Sequence, residues 1–209
     1  MSVKIVKIEN RLMDRFFPDL PNINKNNLQI TDEGIFSVTG KFASLKLVKY
    51  IEKIMKTNDI KITDCTANNG SDTISFALHF TFVNAIELNE TNFSVLKNNV
   101  EVYKLTNTNL ILGDSLENIP NLTQDVLYFD PPWGGKEYKK EDSLRLYLGD
   151  NEISDIYNKF KMYCKLLIFK LPINYDFAYF CKKTSIKKFM VKSYSFHDKI
   201  KFYFLFCDI

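Results

Sequence analysis

Residues 126–135 read VLYFDPPWGG: an apolar run that ends on an acid, two prolines, a tryptophan and two glycines. Val126 to Phe129 has the composition of a buried strand, so Asp130 falls at a strand's carboxyl end, where open α/β sheets bind ligands. The two prolines hold φ near about −65° and bring no N–H of their own, which leaves the neighbouring carbonyls turned outward. An exocyclic amine of a nucleobase suits such a turn. Asp130 accepts one of its protons and a carbonyl of the Pro131–Pro132 region the other, which aims the nitrogen lone pair at an electrophilic methyl group. Trp133 holds the base by stacking, a contact worth about 1–3 kcal/mol per base. The competing reading of the same residues is a rigid turn with the chain's only tryptophan packed into the core.

The segments around this turn alternate between strands and helices. Arg11, Leu12, Arg15 and Phe16 suggest a short amphipathic helix, and Pro18, Pro21 and an Asn-rich run to Asn27 suggest a loop. From Lys41 to Met55, apolar residues recur at helical spacing. Strands are expected at Ile60 to Cys65, Phe82 to Leu88, Leu110 to Leu112, Val126 to Phe129, Leu166 to Leu171, Lys187 to Tyr194 and Lys199 to Cys207. Helices are expected at Thr73 to Phe80, Thr91 to Lys104, Glu152 to Tyr163 and Tyr175 to Lys183. Strands that alternate with helices imply a mostly parallel sheet covered on both faces, with right-handed crossovers. The short connection at Phe196, His197 and Asp198 makes the last strand antiparallel to its neighbour. The resulting expectation is a Rossmann-like α/β fold of the class I methyltransferase kind, with a seven-stranded sheet and a small N-terminal helical extension. Residues 1–40 would form that extension and contribute to the substrate and cofactor pocket, and residues 41–209 the main domain.

A length of 209 residues suits one domain, and 45% hydrophobic with 25% charged residues is ordinary for a water-soluble globular protein. No apolar run is long enough to span a bilayer and no leader-like segment is seen, so the expectation is an intracellular protein without a membrane partner. Cys65, Cys164, Cys181 and Cys207 show no paired short spacing, and His79 and His197 are the only histidines, so no metal site is expected. A net charge of +3 permits a nucleic-acid partner without requiring one. Lys136, Lys139 and Lys140 follow the tryptophan directly, whereas Lys182, Lys183, Lys187 and Lys188 read first as a solvated face. The abundance of Asn, Lys, Ile and Phe resembles the coding bias of an AT-rich genome, such as that of a virus or a protist. Nothing in the chain calls for more than a monomer.

Chemistry-bearing residues line up at the strand ends. Asp64 closes the first core strand and leads into Cys65, Thr66, Ala67, Asn68, Asn69, Gly70 and Ser71, a loop of small residues that lets a cofactor approach the backbone. Glu87 lies twenty-three residues beyond Asp64, about where an acid grips ribose hydroxyls in dinucleotide-type folds. Asp114 follows the third strand and is placed either to accept from an adenine amine or to cap the next helix. In the order loop acid, ribose acid, adenine acid and amine acid, these residues imply a nucleoside-bearing cofactor.

Taken together, Asp32 to Thr39 (DEGIFSVT), Asp64 to Ala77 (DCTANNGSDTISFA), Asn98 to Tyr103 (NNVEVY), Asp130 to Gly135 with Tyr138, and Leu171, Pro172 and Asn174 resemble the trimethylguanosine synthases over nearly the whole chain. These are cap hypermethylases that carry methyl groups from S-adenosylmethionine to the exocyclic amine of 7-methylguanosine. The resemblance implies that Ser37, Thr39, Asp64, Glu87, Asn99 and Asp114, with Thr66, Ala67 and Gly70 of the loop, line the cofactor side. It also implies that Trp133 stacks on the methylated guanine. That base is cationic, and an indole face attracts cations by about 0.5–2 kcal/mol. Arg11, Arg15, Lys136 and Lys4 are candidates for the cap triphosphate, with capped RNA as the partner.

The chain departs from this family twice. Asn68, Asn69, Gly70 and Ser71 stand where the family usually has Gly-x-Gly-Gly, and Asp130 stands where it often has Ser. Two other readings therefore stay open: an adenine-amine methyltransferase acting on DNA or RNA, and a catalytically silent module that binds caps or RNA.

Overall fold

The computed structural model describes residues 3–208, apart from the side chains of Asn10 and Lys136. The chain groups into two compact units, Met1–Leu122 and Thr123–Ile209. Its seven-stranded sheet draws three strands from the first unit and four from the second.

In the first unit, β1 (Ile5–Val6) pairs antiparallel with β2 (Ile30–Thr31), and α1 (Asn10–Phe16) lies between them in sequence. The short α2 (Gly34–Ser37) and the long α3 (Lys41–Met55) follow. Helix α3 forms because Ala43, Ser44, Leu47, Val48 and Ile51 share one buried face; it ends at Lys56, which takes a left-handed conformation. Then come β3 (Lys61–Asp64), α4 (Ser71–Ala77), β4 (Phe82–Glu87), α5 (Glu90–Val102), β5 (Thr108–Leu112) and α6 (Ser115–Asn118). Strands β3, β4 and β5 run parallel in that order, with Asp64 beside Ala85 and Glu87 beside Leu112. Met13, Phe16 and Phe17 from the α1 segment join Ile30, Ile74, Leu96 and Val100 in one apolar core, which fastens the N-terminal residues to this unit.

In the second unit, β6 (Val126–Phe129) is followed by the hairpin β7 (Tyr147–Leu148) and β8 (Asn151–Glu152), then α7 (Ile153–Phe160), β9 (Leu166–Leu171), α8 (Phe177–Thr184), β10 (Phe189–Phe196) and β11 (Lys199–Cys207). The strand order here is β10-β11-β9-β6, with β6 and β9 parallel and β11 antiparallel to both its neighbours. The reversal is made at His197 and Asp198, both at positive φ (50° and 58°), the backbone pattern that matches the twist of a tight hairpin. One face of this sheet packs on α8 through Phe169 against Phe180, with centroids 6.0 Å apart, and through Tyr203 against Phe177, 5.8 Å apart. The expected mostly parallel sheet with an antiparallel last strand is therefore present. Among the described residues, no helix is long and apolar enough to cross a membrane.

Candidate functional site

The first unit carries the loop between β3 and α4 together with the acids at the ends of β3 and β4. Asp64 is buried, and its carboxylate accepts from Thr73 Oγ1 at 2.6 Å and from the Thr66 amide at 3.4 Å. The Ala67 amide donates to the Ile86 carbonyl at 3.0 Å and the Gly70 amide to the Ala67 carbonyl at 2.9 Å, which folds the loop back on the end of β4. Gly70 lies at φ +89°, and a Cβ there would meet Leu96 Cδ1 at 2.7 Å, so only glycine fits. The Glu87 carboxylate accepts from the Asn68 amide at 2.7 Å and from the Asn89 amide at 2.8 Å. Burial pushes the Glu87 carboxyl above its ordinary value, against the pull of those two amides. Asp114 caps α6 by accepting from the Leu116 amide at 2.8 Å through Oδ1.

The residues expected on the cofactor side thus divide into two kinds. Glu87, Asp114 and the Thr66–Gly70 loop border the strand ends with acceptors. Thr39, Asn99 and Ser37 are committed within the chain. Thr39 Oγ1 donates to Asp72 Oδ2 at 2.6 Å, and the Thr39 carbonyl accepts from Ser71 Oγ at 2.6 Å. Asn99 Nδ2 donates to the carbonyls of Gln29 (3.0 Å) and Asn69 (2.8 Å), while Asn99 Oδ1 accepts from the Gln29 amide at 2.8 Å. Ser37 Oγ donates to the Glu33 carbonyl at 3.0 Å and accepts from Asn68 Nδ2 at 2.9 Å. Arg11 and Arg15 are exposed on α1.

Asn69, noticed in the sequence only as part of the loop that departs from Gly-x-Gly-Gly, is the centre of a buried network. Its Oδ1 accepts from the Thr31 amide at 2.9 Å and its Nδ2 donates to Asn92 Oδ1 at 3.1 Å; Thr31 Oγ1 donates to the same Asn92 oxygen at 2.9 Å. Gly34 makes room for it: a Cβ on Gly34 would come within 2.1 Å of Asn69 Oδ1. Asn68 adopts positive φ (48°), and its Oδ1 is buried without a hydrogen-bond partner among the described residues.

The second unit carries the Asp-Pro-Pro-Trp turn. Val126 to Phe129 are fully buried, and Asp130 emerges half-buried at the strand end. A charged residue from inside the apolar strand β9 meets it there. Lys170, 4% exposed, places Nζ 2.6 Å from Asp130 Oδ2. The same ammonium lies 5.5 Å from the ring centroid of Trp133 and 5.0 Å from that of Phe202, within cation–π range. Sequence reasoning missed this lysine; the available signal was a single charge inside LLIFKL, since a buried lysine needs a partner.

Trp133 is half-buried, edge-on to Tyr138 at 5.3 Å and tilted against Phe202 at 6.3 Å. Its Nε1 is buried and has no acceptor among the described residues. Gly134 and Gly135 sit at φ +87° and +69° with open space where a Cβ would be, so their role is conformational and the loop around them is clear. Asn174 fastens the segment after these glycines, donating to the carbonyls of Tyr138 and Glu141, each at 2.7 Å. Lys136 comes directly after Gly135, and its side chain lies outside the described residues.

A family model described as RNA cap guanine-N2 methyltransferase matches residues 60–208. The chain is 39% identical over 139 residues to the uncharacterized protein L320 of Acanthamoeba polyphaga mimivirus, covering 63% of this chain and 54% of that protein. It is 25% identical over 162 residues to the trimethylguanosine synthase of Saccharomyces cerevisiae, covering 74% and 51%. The chain thus spans about half the length of these curated relatives. Among solved structures it is similar in fold to M. jannaschii TYW2 in complex with AdoMet, with a TM-score of 0.52 at 15% identity over 86% of this chain and 80% of that one. With more than two thirds of its length matched, and with the Asp-Pro-Pro-Trp turn inside the match, the chain belongs to the RNA cap guanine-N2 methyltransferase family.

Proposed function

We propose that the protein transfers a methyl group from S-adenosylmethionine to the exocyclic N2 amine of 7-methylguanosine in an RNA cap. The observation that carries this reading is the Asp130 carboxylate at a strand end, held by a buried lysine beside an indole. The pair has no net charge, so it offers an acceptor to the amine much as a neutral serine would. Lys170 holds the Asp130 carboxylate through Oδ2, and that carboxylate accepts the amine proton. Trp133 provides the stacking partner, favoured by a cationic base. Pro131 and Pro132 fix the turn that carries both, as trans peptides.

The first unit's residues fit S-adenosylmethionine by their donor and acceptor chemistry. The Glu87 carboxylate suits the ribose diol, Asp114 Oδ2 the adenine amine, and the orphaned Asn68 Oδ1 an ammonium donor. When bound, the cofactor supplies an activated methyl sulfonium, so the chain's residues need only position the amine and receive its proton. Asp64, Asn69, Asn99, Thr39 and Ser37 act by holding the loop that carries these contacts. Residues 1–40 contribute to the pocket through that same framework, and Arg11, Arg15 and Lys136 meet the cap phosphates.

The test is incubation with radiolabelled S-adenosylmethionine and either a 7-methylguanosine cap dinucleotide or uncapped oligonucleotides. Label on the cap dinucleotide supports the reading. Label only on adenine in uncapped strands would establish the adenine-amine activity instead, and cofactor-free cap binding without transfer would establish a silent binding module.

A further inference from the structure

We propose that the β10–β11 hairpin is a docking track for single-stranded RNA, taking the nucleotides that follow the modified base. This rests on the RNA reading of the Asp130 site, and it comes from a different set of residues.

The strand register puts a row of side chains on one face. Lys192 pairs with Phe204 and Phe204 with Lys170; in the next rung Tyr194 pairs with Phe202, and at the tip Phe196 pairs with Lys199. Cross-strand partners share a face, and residues two apart on β10 do as well. Trp133, Phe202 and Tyr194 form a continuous set of ring contacts. Trp133 lies against Phe202 at 6.3 Å, and Phe202 stacks on Tyr194 at 5.0 Å and 17°. Beyond them Phe196 is 48% exposed at the tip, edge-on to His197 at 4.1 Å. Aromatic side chains of this row therefore pass from Trp133 through buried Phe202 to half-buried Tyr194, with exposed Phe196 at the tip. Helix α8 covers the opposite face, through Tyr203 and Phe169.

Charge lies along the same hairpin, with Lys192 in the row and Lys199 at its tip. From Lys187 to Lys201 the chain carries Lys187, Lys188, Lys192, Lys199 and Lys201 against the single acid Asp198. Among the described residues, none of these five ammonium groups is in an ion pair, whereas Lys165 and Lys183 elsewhere in the unit are paired with Asp125 and Asp155. Lys201 is the extra residue at the β11 bulge that steps the register between Tyr194 and Ser195. Lysines outside any ion pair, beside half-buried Tyr194 and exposed Phe196, make the combination that single-stranded nucleic acid needs: cations for phosphates and π-faces for bases. An edge strand needs a lysine or two to discourage pairing with other chains. It does not need an exposed phenylalanine at its tip.

The test compares wild type with Lys192→Ala/Lys199→Ala/Lys201→Ala and with Phe196→Ala, using a cap dinucleotide and a capped, unstructured RNA long enough to reach the hairpin. For the triple variant, KM for the capped RNA is expected to rise about tenfold, and the salt dependence of RNA binding to shrink by about two phosphates' worth. KM for the dinucleotide and the affinity for S-adenosylmethionine stay as in wild type. Phe196→Ala weakens RNA binding about fivefold or more, and arginine in place of alanine at the three lysine positions keeps RNA binding near that of wild type. Equal effects on both substrates, or none on either, would overturn the track, as would a triple variant that loses only solubility. Should wild type methylate neither substrate, the cap reading fails; fluorescence anisotropy on uncapped single strands still decides the track, which stands if the triple variant loses affinity and falls if it does not.

Discussion

Lys170 Nζ lies 2.6 Å from Asp130 Oδ2, with the two side chains only 6% and 16% exposed. The pair reconciles a carboxylate at Asp130 with a family that often has serine there, because β9 supplies the compensating charge. Breaking one side leaves the other buried and uncompensated. Lys170→Met and Asp130→Ser are each expected to destabilise the fold by about 3 kcal/mol. The double variant, with both charges gone, recovers most of that loss. Urea denaturation of the four proteins checks the cycle, and additive single effects would mean that the two groups are not coupled.

Trp133 is T-shaped with Tyr138, tilted against Phe202 and remains half-buried. Trp133→Ala is expected to weaken affinity for a cap dinucleotide about tenfold or more, as loss of a stacked cationic base requires. Trp133→Phe keeps part of it. Calorimetry with S-adenosylmethionine should show little change in either variant; an equal loss of cofactor affinity would make the tryptophan a packing residue.

The strands were legible where an apolar run was unbroken, as in Val126 to Phe129 and Leu166 to Leu171. The α3 helix was legible because its buried face recurs at helical spacing. Strands β1 and β2 were not, since two residues each carry no period. The acids at the strand ends could be placed because each follows a readable strand. Lys170 was hidden because its partner stands forty residues earlier in the chain, and Asn69 because Thr31, the group it holds, lies thirty-eight residues away. Pairings of that length become visible only once the sheet order is known. Asp114 showed the capping geometry that its position had left open.

Glu87 gives the site a pH dependence of definite sign. Its carboxyl is raised above the ordinary 4.5 mainly by burial. Between 4.5 and the folded-state value, the native protein therefore holds a proton that the unfolded chain has released. Stability contributed by this group thus falls as pH rises through that window and is level above it. On the proposed ribose contact, cofactor affinity is expected to run the other way, since ribose hydroxyls donate best to an ionised carboxylate. Calorimetric titrations should show S-adenosylmethionine binding more tightly as pH climbs through the same window. Glu87→Gln should flatten that rise, and an unchanged slope would remove Glu87 from the ribose contact.

Gly34 and Asn69 make the sharpest packing test. A methyl group on Gly34 would lie 2.1 Å from Asn69 Oδ1 and 2.9 Å from Thr31 Oγ1, so Gly34→Ala forces the amide away from the Thr31 N–H that it satisfies. Asn69→Gly removes the same acceptor directly. Each single variant is expected to cost about 1–3 kcal/mol, the penalty for a buried donor left without a partner. Combined, the two should cost much less than their sum, because a glycine at position 69 removes the atoms that the new methyl would strike. Thermal denaturation of the set measures the coupling. A strictly additive double variant would mean that the 30–37 segment is held in place by its apolar contacts and owes nothing to the Asn69 amide.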